Sequence, residues 1–449
     1  MVAVTEDAVH QHVKAYVRSR RLSDACSVIH SYEESHVKLQ KTADNPVPAC
    51  LPSQKTYTLV VSSLLAQNQA HSRALAWDLF AHMRYVAHPI PDAPLYATML
   101  RACAYGPEPH AERALDLWTE MRIDNKIPPT RDAYNALILA CARASGRDKL
   151  QLSYAHDAFR FAREMLDAYR AGADHLKPNA ETFTALLESA KRTGDLARAR
   201  WILAELAGSY AADPHRATEL APNQDAMSHI FQVYAAYQPL FPRRRIGGSK
   251  ASDPPEVERS IGDAAAESDG GSTSAVARTQ GGSVMDVPQS RGEVVAEASA
   301  LFQRIIASAQ LSEPSAFSRV KLTTRLLNSY FSVHLAHSPL AKSRNVYDEI
   351  FSNPSNLPGT NPPAQRNART FLLALQRCVH SASPASGRSA ATEALSFARA
   401  VWDEWITIGV STNADVSPRT VEKIWSSMIR VLASCVCAFL RVTHSLVLN

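Results

Sequence analysis

The sequence predicts an all-α fold, a solenoid of stacked antiparallel helix pairs, and three recurring features carry that expectation. The first is an amphipathic row best seen at Ala114–Met121, ALDLWTEM. Small, aliphatic, aromatic and apolar residues meet there on one helix face at i, i+3, i+4 and i+7. The same row recurs at Ala76–Met83, Ala158–Met165 and Ala199–Leu206, with looser copies at Ala25–Tyr32, Ala298–Ile305, Ser343–Ile350 and Ala398–Trp405. The second is an apolar helical pattern before each row, such as YTLVVSSLLA from Tyr57, YATMLRACA from Tyr96, YNALILACA from Tyr134 and FTALLESAK from Phe183. The third is a proline five residues before each of these starts: Pro52, Pro91, Pro129, Pro178 and, before Met227, Pro222.

Each proline is followed by Ser53, Asp92, Thr130, Asn179 or Asn223. Proline cannot continue the preceding helix, and the short polar residue after it suits a helix entry. The unit therefore reads helix, short turn, helix, Pro-plus-polar turn. Such a pair cannot bury its apolar face alone and must stack on its neighbours. The aromatic starts and the tryptophans Trp77, Trp118, Trp201 and Trp402 read as inter-helix core.

Composition sets further bounds. A chain of 449 residues, 46% hydrophobic, buries an extended core rather than one compact unit. A net charge of +5 is compatible with an anionic partner without demanding one. Seven cysteines, widely spaced apart from Cys435 and Cys437 and with no Cys-x-x-Cys, argue against a disulfide scaffold or a thiolate zinc site, and for a reducing compartment. No apolar run reaches the length of a membrane span. Glu6 and Asp7 break any presequence pattern, so the chain is expected to begin inside a structural unit whose leader lies elsewhere.

Four segments follow: a helical array over 1–239, a Gly/Ser/Asp-rich insertion over 240–292, a continuation of the array over 293–432, and an atypical tail over 433–449 that reads as a truncated repeat. The insertion holds too few large apolar residues for a core and is expected to be disordered. It falls in the turn of the sixth pair, with helices near 224–237 and 294–308, and opens on Arg243–Arg245, a linker edge or a phosphate contact.

Enzyme motifs are lacking. His110-Ala111-Glu112 supplies half of a zinc deaminase signature, but no Pro-Cys-x-x-Cys follows, and a helix entry explains these residues. There is no HExxH, Walker loop or GxSxG, and no histidine pair at helical spacing beside a third ligand. The expectation is a non-enzyme with no metal and no cofactor.

The order aromatic-x-x-Leu-Ile helix, Ala-x-x-Leu-Phe-x-x-Met helix, then Pro-Asp/Asn resembles the pentatricopeptide repeat, over most of residues 5–432 and most strongly over 52–223. Tryptophans in the second helix distinguish it from the tetratricopeptide repeat. Successive aromatic starts lie 39, 38 and 49 residues apart, longer and less regular than the family's period, as in divergent fungal mitochondrial members. The resemblance implies a right-handed α-solenoid of about eight units and a mitochondrial RNA-binding protein acting in processing, stability or translation, for example in small-subunit ribosomal RNA maturation. Its implied partners are single-stranded RNA and, beside it, the mitochondrial ribosome or RNA-processing proteins.

In that family one base meets each unit through the residue after the aromatic start and the last residue of the unit. The matching pairs here are Thr58 with Asp92, Ala97 with Thr130, Asn135 with Asn179, and Thr184 with Asn223. Capping alone explains the same residue types. The family's aliphatic base-sandwich position is filled by Lys55, Pro94, Asp132 and Glu181. Basic residues at first-helix ends, Lys14, Arg18, Arg20, Arg21, Arg101, Lys191 and Arg192, either contact phosphates or complement helix dipoles. A protein-binding scaffold is the competing expectation, and the charge of the inner face separates the two.

Overall fold

A computed structural model describes residues 5–42, 51–106, 108–212, 221–239, 287–310, 316–352, 365–383, 388–409 and 417–447. Of the insertion expected over 240–292, residues 240–286 with the Arg243–Arg245 triplet lie outside them, and the second helix of the sixth pair begins at Arg291, inside those bounds. The described residues are helical, without strands, and form eight helix pairs and one further helix. The pairs are α1 (Glu6–Arg18) with α2 (Leu22–Thr42), α3 (Gln54–Ala66) with α4 (Ala70–Val86), α5 (Ala93–Ala104) with α6 (Ala111–Thr119), and α7 (Arg131–Ala144) with α8 (Lys149–Arg170). There follow α9 (Ala180–Thr193) with α10 (Leu196–Ala212), α11 (Gln224–Ala236) with α12 (Arg291–Gln310), α13 (Thr324–His337) with α14 (Leu340–Ser352), and α15 (Ala368–Ser381) with α16 (Arg388–Glu404). The last helix, α17, runs unbroken over Pro418–Val447, so the segment read as an atypical tail continues the helix begun at Pro418.

All eight sequence rows fall on second helices, α2 through α16, with Ala114–Met121 and Ala398–Trp405 running on into the π-helical turns Glu120–Asp124 and Trp405–Gly409. The polar residue after each proline is a helix N-cap. Asp92, Thr130, Asn179 and Asn223 accept from the backbone N–H three residues on, as do Thr5, Thr323 and Asn367 in pairs without that proline signal. Each cap contributes about 1 kcal/mol and sets where a first helix begins.

Odd-numbered helices pack in sequence, each on the next from α1 to α17, while most even-numbered helices pack on their own partner and on the first helix that follows. Neighbours that meet closely on one side and diverge on the other make a curved stack with first helices on its inner face. Side chains confirm the curvature, because Arg101 of α5 pairs with Glu181 of α9, past the intervening α7. Arg147, just beyond α7, likewise donates to the Ala236 carbonyl at the end of α11, at 2.7 Å.

The core runs the length of the stack. Tyr57, Tyr96, Phe231, Phe331 and Phe371 of first helices and Met83, Met121, Met165 and Ile305 of second helices are fully buried. Each such side chain stabilises by about 1.5–3 kcal/mol on leaving water. First-helix tyrosines, among them the aromatic starts Tyr96 and Tyr134, also carry a polar task that the spacing did not reveal. The hydroxyls of Tyr96, Tyr134 and Tyr234 donate to Glu120, Glu164 and Glu297 of their own units. Those carboxylates pair with Arg84, Arg122 and Arg200. An Arg–Glu–Tyr clasp thus repeats along the stack, satisfying each buried phenol and fixing how the helices meet.

Gly194 ends α9 in the left-handed region, at φ +73°. A Cβ there would stand 2.9 Å from the Ala236 carbonyl, so both backbone conformation and the approach of α11 require glycine.

Candidate nucleic-acid interface

Two recesses open along the first-helix row. The first, about 700 Å³, lies between α3, α5 and α7 and gathers Thr58, Ala97 and Thr130 with Pro94, Arg101, Tyr105 and Asp132. Three of the eight residues implied by the family pattern therefore share one cavity. Thr58 donates its hydroxyl to the Gln54 carbonyl, and Thr130 caps α7 through Ala133, which leaves a largely apolar wall. Tyr105 follows α5 and is 43% exposed, and the Arg143 guanidinium lies 4.1 Å from its ring centroid. An aromatic face held by a cation is a platform on which a flat base can stack.

The other pairs are arranged differently. Asn135 is 0% exposed, and its amide donates to Asn179 Oδ1 at 3.0 Å while its carbonyl accepts from Thr182 at 2.6 Å. Asn179 itself caps α9, with Thr182 completing a capping box. Thr184 donates to the Ala180 carbonyl, and Asn223 caps α11 through Ala226. Asp92 caps α5 through Leu95. The structure thus joins Asn135 to Asn179 directly, and it spends Asp92, Thr184 and Asn223 on local backbone bonds.

The Asn135 arrangement has a twin. Asn328 of α13 donates to Asn367 Oδ1 at 3.1 Å and accepts from Thr370 at 2.8 Å. Sequence reading missed it because Arg366, not proline, precedes Asn367. The matched spacings Asn179-Ala-Glu-Thr182 and Asn367-Ala-Arg-Thr370 carry the signal.

The second recess, about 430 Å³, lies at the C-terminal ends of first helices and includes Arg147, Arg291 and His337 with Ala236 and Tyr237. Arg377 adjoins it: burial, then the charge of Arg291, lowers the pKa of its guanidinium. His337 is held below the usual imidazole value by burial, opposed by its bond to the Tyr234 carbonyl, with Arg291 adding to the depression. Arg147 and Arg377 donate to the Ala236 and Ser338 carbonyls, and no carboxylate among the described residues pairs with Arg147, Arg291 or Arg377. The recess gathers arginine charge that no carboxylate among the described residues pairs with, and nothing in the repeat pattern marked Arg147, Arg291 or Arg377.

Several basic residues singled out from sequence are already partnered. Arg101 pairs with Glu181, Lys191 and Arg192 both pair with Glu188, and Arg21 pairs with Asp24. Arg18 and Arg20 are exposed at the first turn, with Lys14 half-buried. Of the four base-sandwich positions, Pro94 and Asp132 line the first recess, Glu181 is held by Arg101, and Lys55 is exposed. His110 stands at the entry of α6, and Glu112 accepts the Tyr154 hydroxyl at 2.9 Å. Among the described residues no helix is long and apolar enough to cross a membrane.

No family model matches the chain. Over 97 residues, 21% of its length, it is 38% identical to the mitochondrial 15S rRNA processing factor CCM1 of Lachancea thermotolerans. The matched stretch spans 10% of that protein. Among solved structures it is similar to the pentatricopeptide repeat protein PPR10 in complex with an 18-nt psaJ RNA element, at 16% identity and a TM-score of 0.37, covering 89% of this chain and 50% of that one. PPR10 from maize gives 15% identity and the same TM-score, covering 98% and 54%. The helix-pair architecture stands on this structure's own packing.

Proposed function

We propose that the chain binds single-stranded RNA along its first-helix face and acts in mitochondrial RNA processing, with small-subunit ribosomal RNA maturation the leading case. The observation that carries the proposal is the cluster of Arg147, Arg291 and Arg377, none of them paired with a carboxylate among the described residues. Concentrated positive charge without carboxylate partners attracts phosphates and gains by releasing their counterions. The recess between α3, α5 and α7 supplies the complementary chemistry, an exposed Tyr105 ring stiffened by Arg143, against which a base stacks while Thr58 and Thr130 border its edge.

The likeness of a 97-residue stretch to a mitochondrial 15S rRNA processing factor supports both the RNA class and the compartment. The mechanism is passive. A bound segment is shielded from nucleases or held open for a separate enzyme, and no residue of this chain performs a bond-breaking step. Of the family-pattern residues, Thr58, Ala97 and Thr130, which line the recess, are the ones we assign to RNA. Asn135 with Asn179 is assigned to RNA only through its effect on how the units stack.

A protein-binding scaffold, such as a component seated on the mitochondrial ribosome, is the second reading. It is favoured by the apolar lining of the first recess and by the carboxylate partners of Arg101, Lys191 and Arg192. Crosslinking the tagged full-length protein to RNA in its native cell, followed by sequencing, separates the two. Enrichment of one mitochondrial transcript, with a crosslink at Tyr105, is the expected result. Background RNA alone, together with stoichiometric protein partners, would transfer the assignment to the scaffold.

A further inference from the structure

Away from the first-helix face, the second helices of the first two units bring together three side chains far apart in sequence. His30 and Glu33 stand one turn apart on α2, and His82 reaches them from α4. The Nδ1 atoms of His30 and His82 lie 3.3 and 3.1 Å from the same carboxylate oxygen, Glu33 Oε2. One donor atom from each residue falls within a span of 4.8 Å, and the two imidazole rings meet edge to face. The other oxygen of Glu33 accepts the Tyr57 hydroxyl from α3.

Three details favour a cation over simple ion pairing. Glu33 is only 2% exposed, and its charge is met there by one neutral phenol and a single hydrogen bond with His30. His82 Nδ1 is buried and has no hydrogen-bond partner, although it stands 3.1 Å from the carboxylate oxygen, because it is not aligned to donate. Finally, ligands about 2.0–2.1 Å from a tetrahedral zinc ion stand about 3.3–3.4 Å from one another. The two histidine–carboxylate separations, 3.3 and 3.1 Å, are close to that, and the remaining pair lies within 4.8 Å.

We propose that His30, Glu33 and His82 form a binding site for a divalent transition metal of the zinc class. Two imidazoles and a carboxylate supply three ligands, water takes the fourth position, and Tyr57 orients the carboxylate from behind. The half-exposed rings of His30 and His82 leave the ion a path from solvent. Because its ligands come from two units, the metal clasps the first helix pair onto the second. Sequence reading found no such site, since the third ligand is two helices away from the His30–Glu33 pair.

The test uses metal-free full-length protein titrated with Zn²⁺ alone, followed by calorimetry, and with Co²⁺, followed by visible absorption. The expected result is one saturable site whose cobalt form shows tetrahedral d–d bands without a thiolate charge-transfer band, together with a rise in Tm on adding Zn²⁺. His82→Gln and Glu33→Gln should lose both signals while keeping the helical circular dichroism of the wild type. Tyr57→Phe should bind about 10–100-fold more weakly. Partly exposed His82 makes its substitution informative even if Glu33→Gln fails to fold. Equal zinc binding by wild type and His82→Gln, or a wild-type protein with no one-equivalent site, would overturn the proposal and leave an ion pair of Glu33 with protonated histidines. RNA binding enters neither outcome.

Discussion

Two stretches of the inner face present equivalent positions in opposite ways. Between α7 and α9, Asn135 is sealed against Asn179 and Thr182, and the same three residue types close the contact between α13 and α15 as Asn328, Asn367 and Thr370. Between α3 and α7, the corresponding Thr58, Ala97 and Thr130 border an open recess beside an exposed tyrosine. One repeat pattern therefore yields a latch in some units and a binding surface in others. What decides is the pairing. Asparagine at both positions, with threonine three residues on, satisfies its donors internally, whereas Thr–Asp or Ala–Thr leaves the surface free for a ligand.

The largest effect should come from breaking a latch. Asn135→Leu removes two hydrogen bonds from a buried site and leaves Thr182 Oγ1 and Asn179 Oδ1 only their capping-box partners, which should cost about 2–4 kcal/mol in chemical denaturation. Asn328→Leu should cost a similar amount, since it too is buried and holds the same partner types. If either proves neutral, the latch is dispensable and the contrast between the regions fails.

The open surfaces should respond in binding rather than in folding. Changing Arg147 and Arg291 together to Ala should weaken single-stranded RNA at least tenfold at moderate salt. The salt slope should become shallower by about 0.7 for each phosphate that is no longer neutralised. Tyr105→Ala should cost about 1–3 kcal/mol of RNA affinity with little change in Tm, because much of its side chain already faces solvent. Equal losses in Tm and affinity would instead place Tyr105 in the architecture.

Much of the architecture was legible in advance, and the reasons are physical. Pairing, second-helix rows and capping positions follow from periodicity and from proline, which act over a few residues and leave a local trace. Eight second helices and the caps Asp92, Thr130, Asn179 and Asn223 stand where the pattern placed them. The fate of Asn135 was not legible, since its residue type suits a base or a neighbouring asparagine equally and only the stacking geometry chooses. Arg147 with Arg291, and His82 with Glu33, become neighbours only through curvature and inter-unit packing, so no spacing rule relates them.

A smaller effect tests the buried histidines that the latched half retains. His334 is held down at about 4 by burial, then by neighbouring His337, and His229 is held at about 4 chiefly by burial. Both are neutral in the folded protein at pH 7 and would take up protons on unfolding in acid. Their contribution is therefore fully present above the unfolded value of about 6.5 and is lost as pH falls from there toward 4. Stability should drop by about 1 kcal/mol per histidine for each pH unit below 6.5. His334→Phe should flatten part of that slope in denaturation curves taken at pH 7, 6 and 5.

The most direct test of the central claim is the affinity of the full-length protein for single-stranded RNA as a function of salt, measured beside the Arg147→Ala/Arg291→Ala variant. Wild-type affinity should fall steeply with rising salt and the variant's more gently, at unchanged circular dichroism. Parallel slopes for the two proteins, or no RNA binding by a folded wild type, would contradict it.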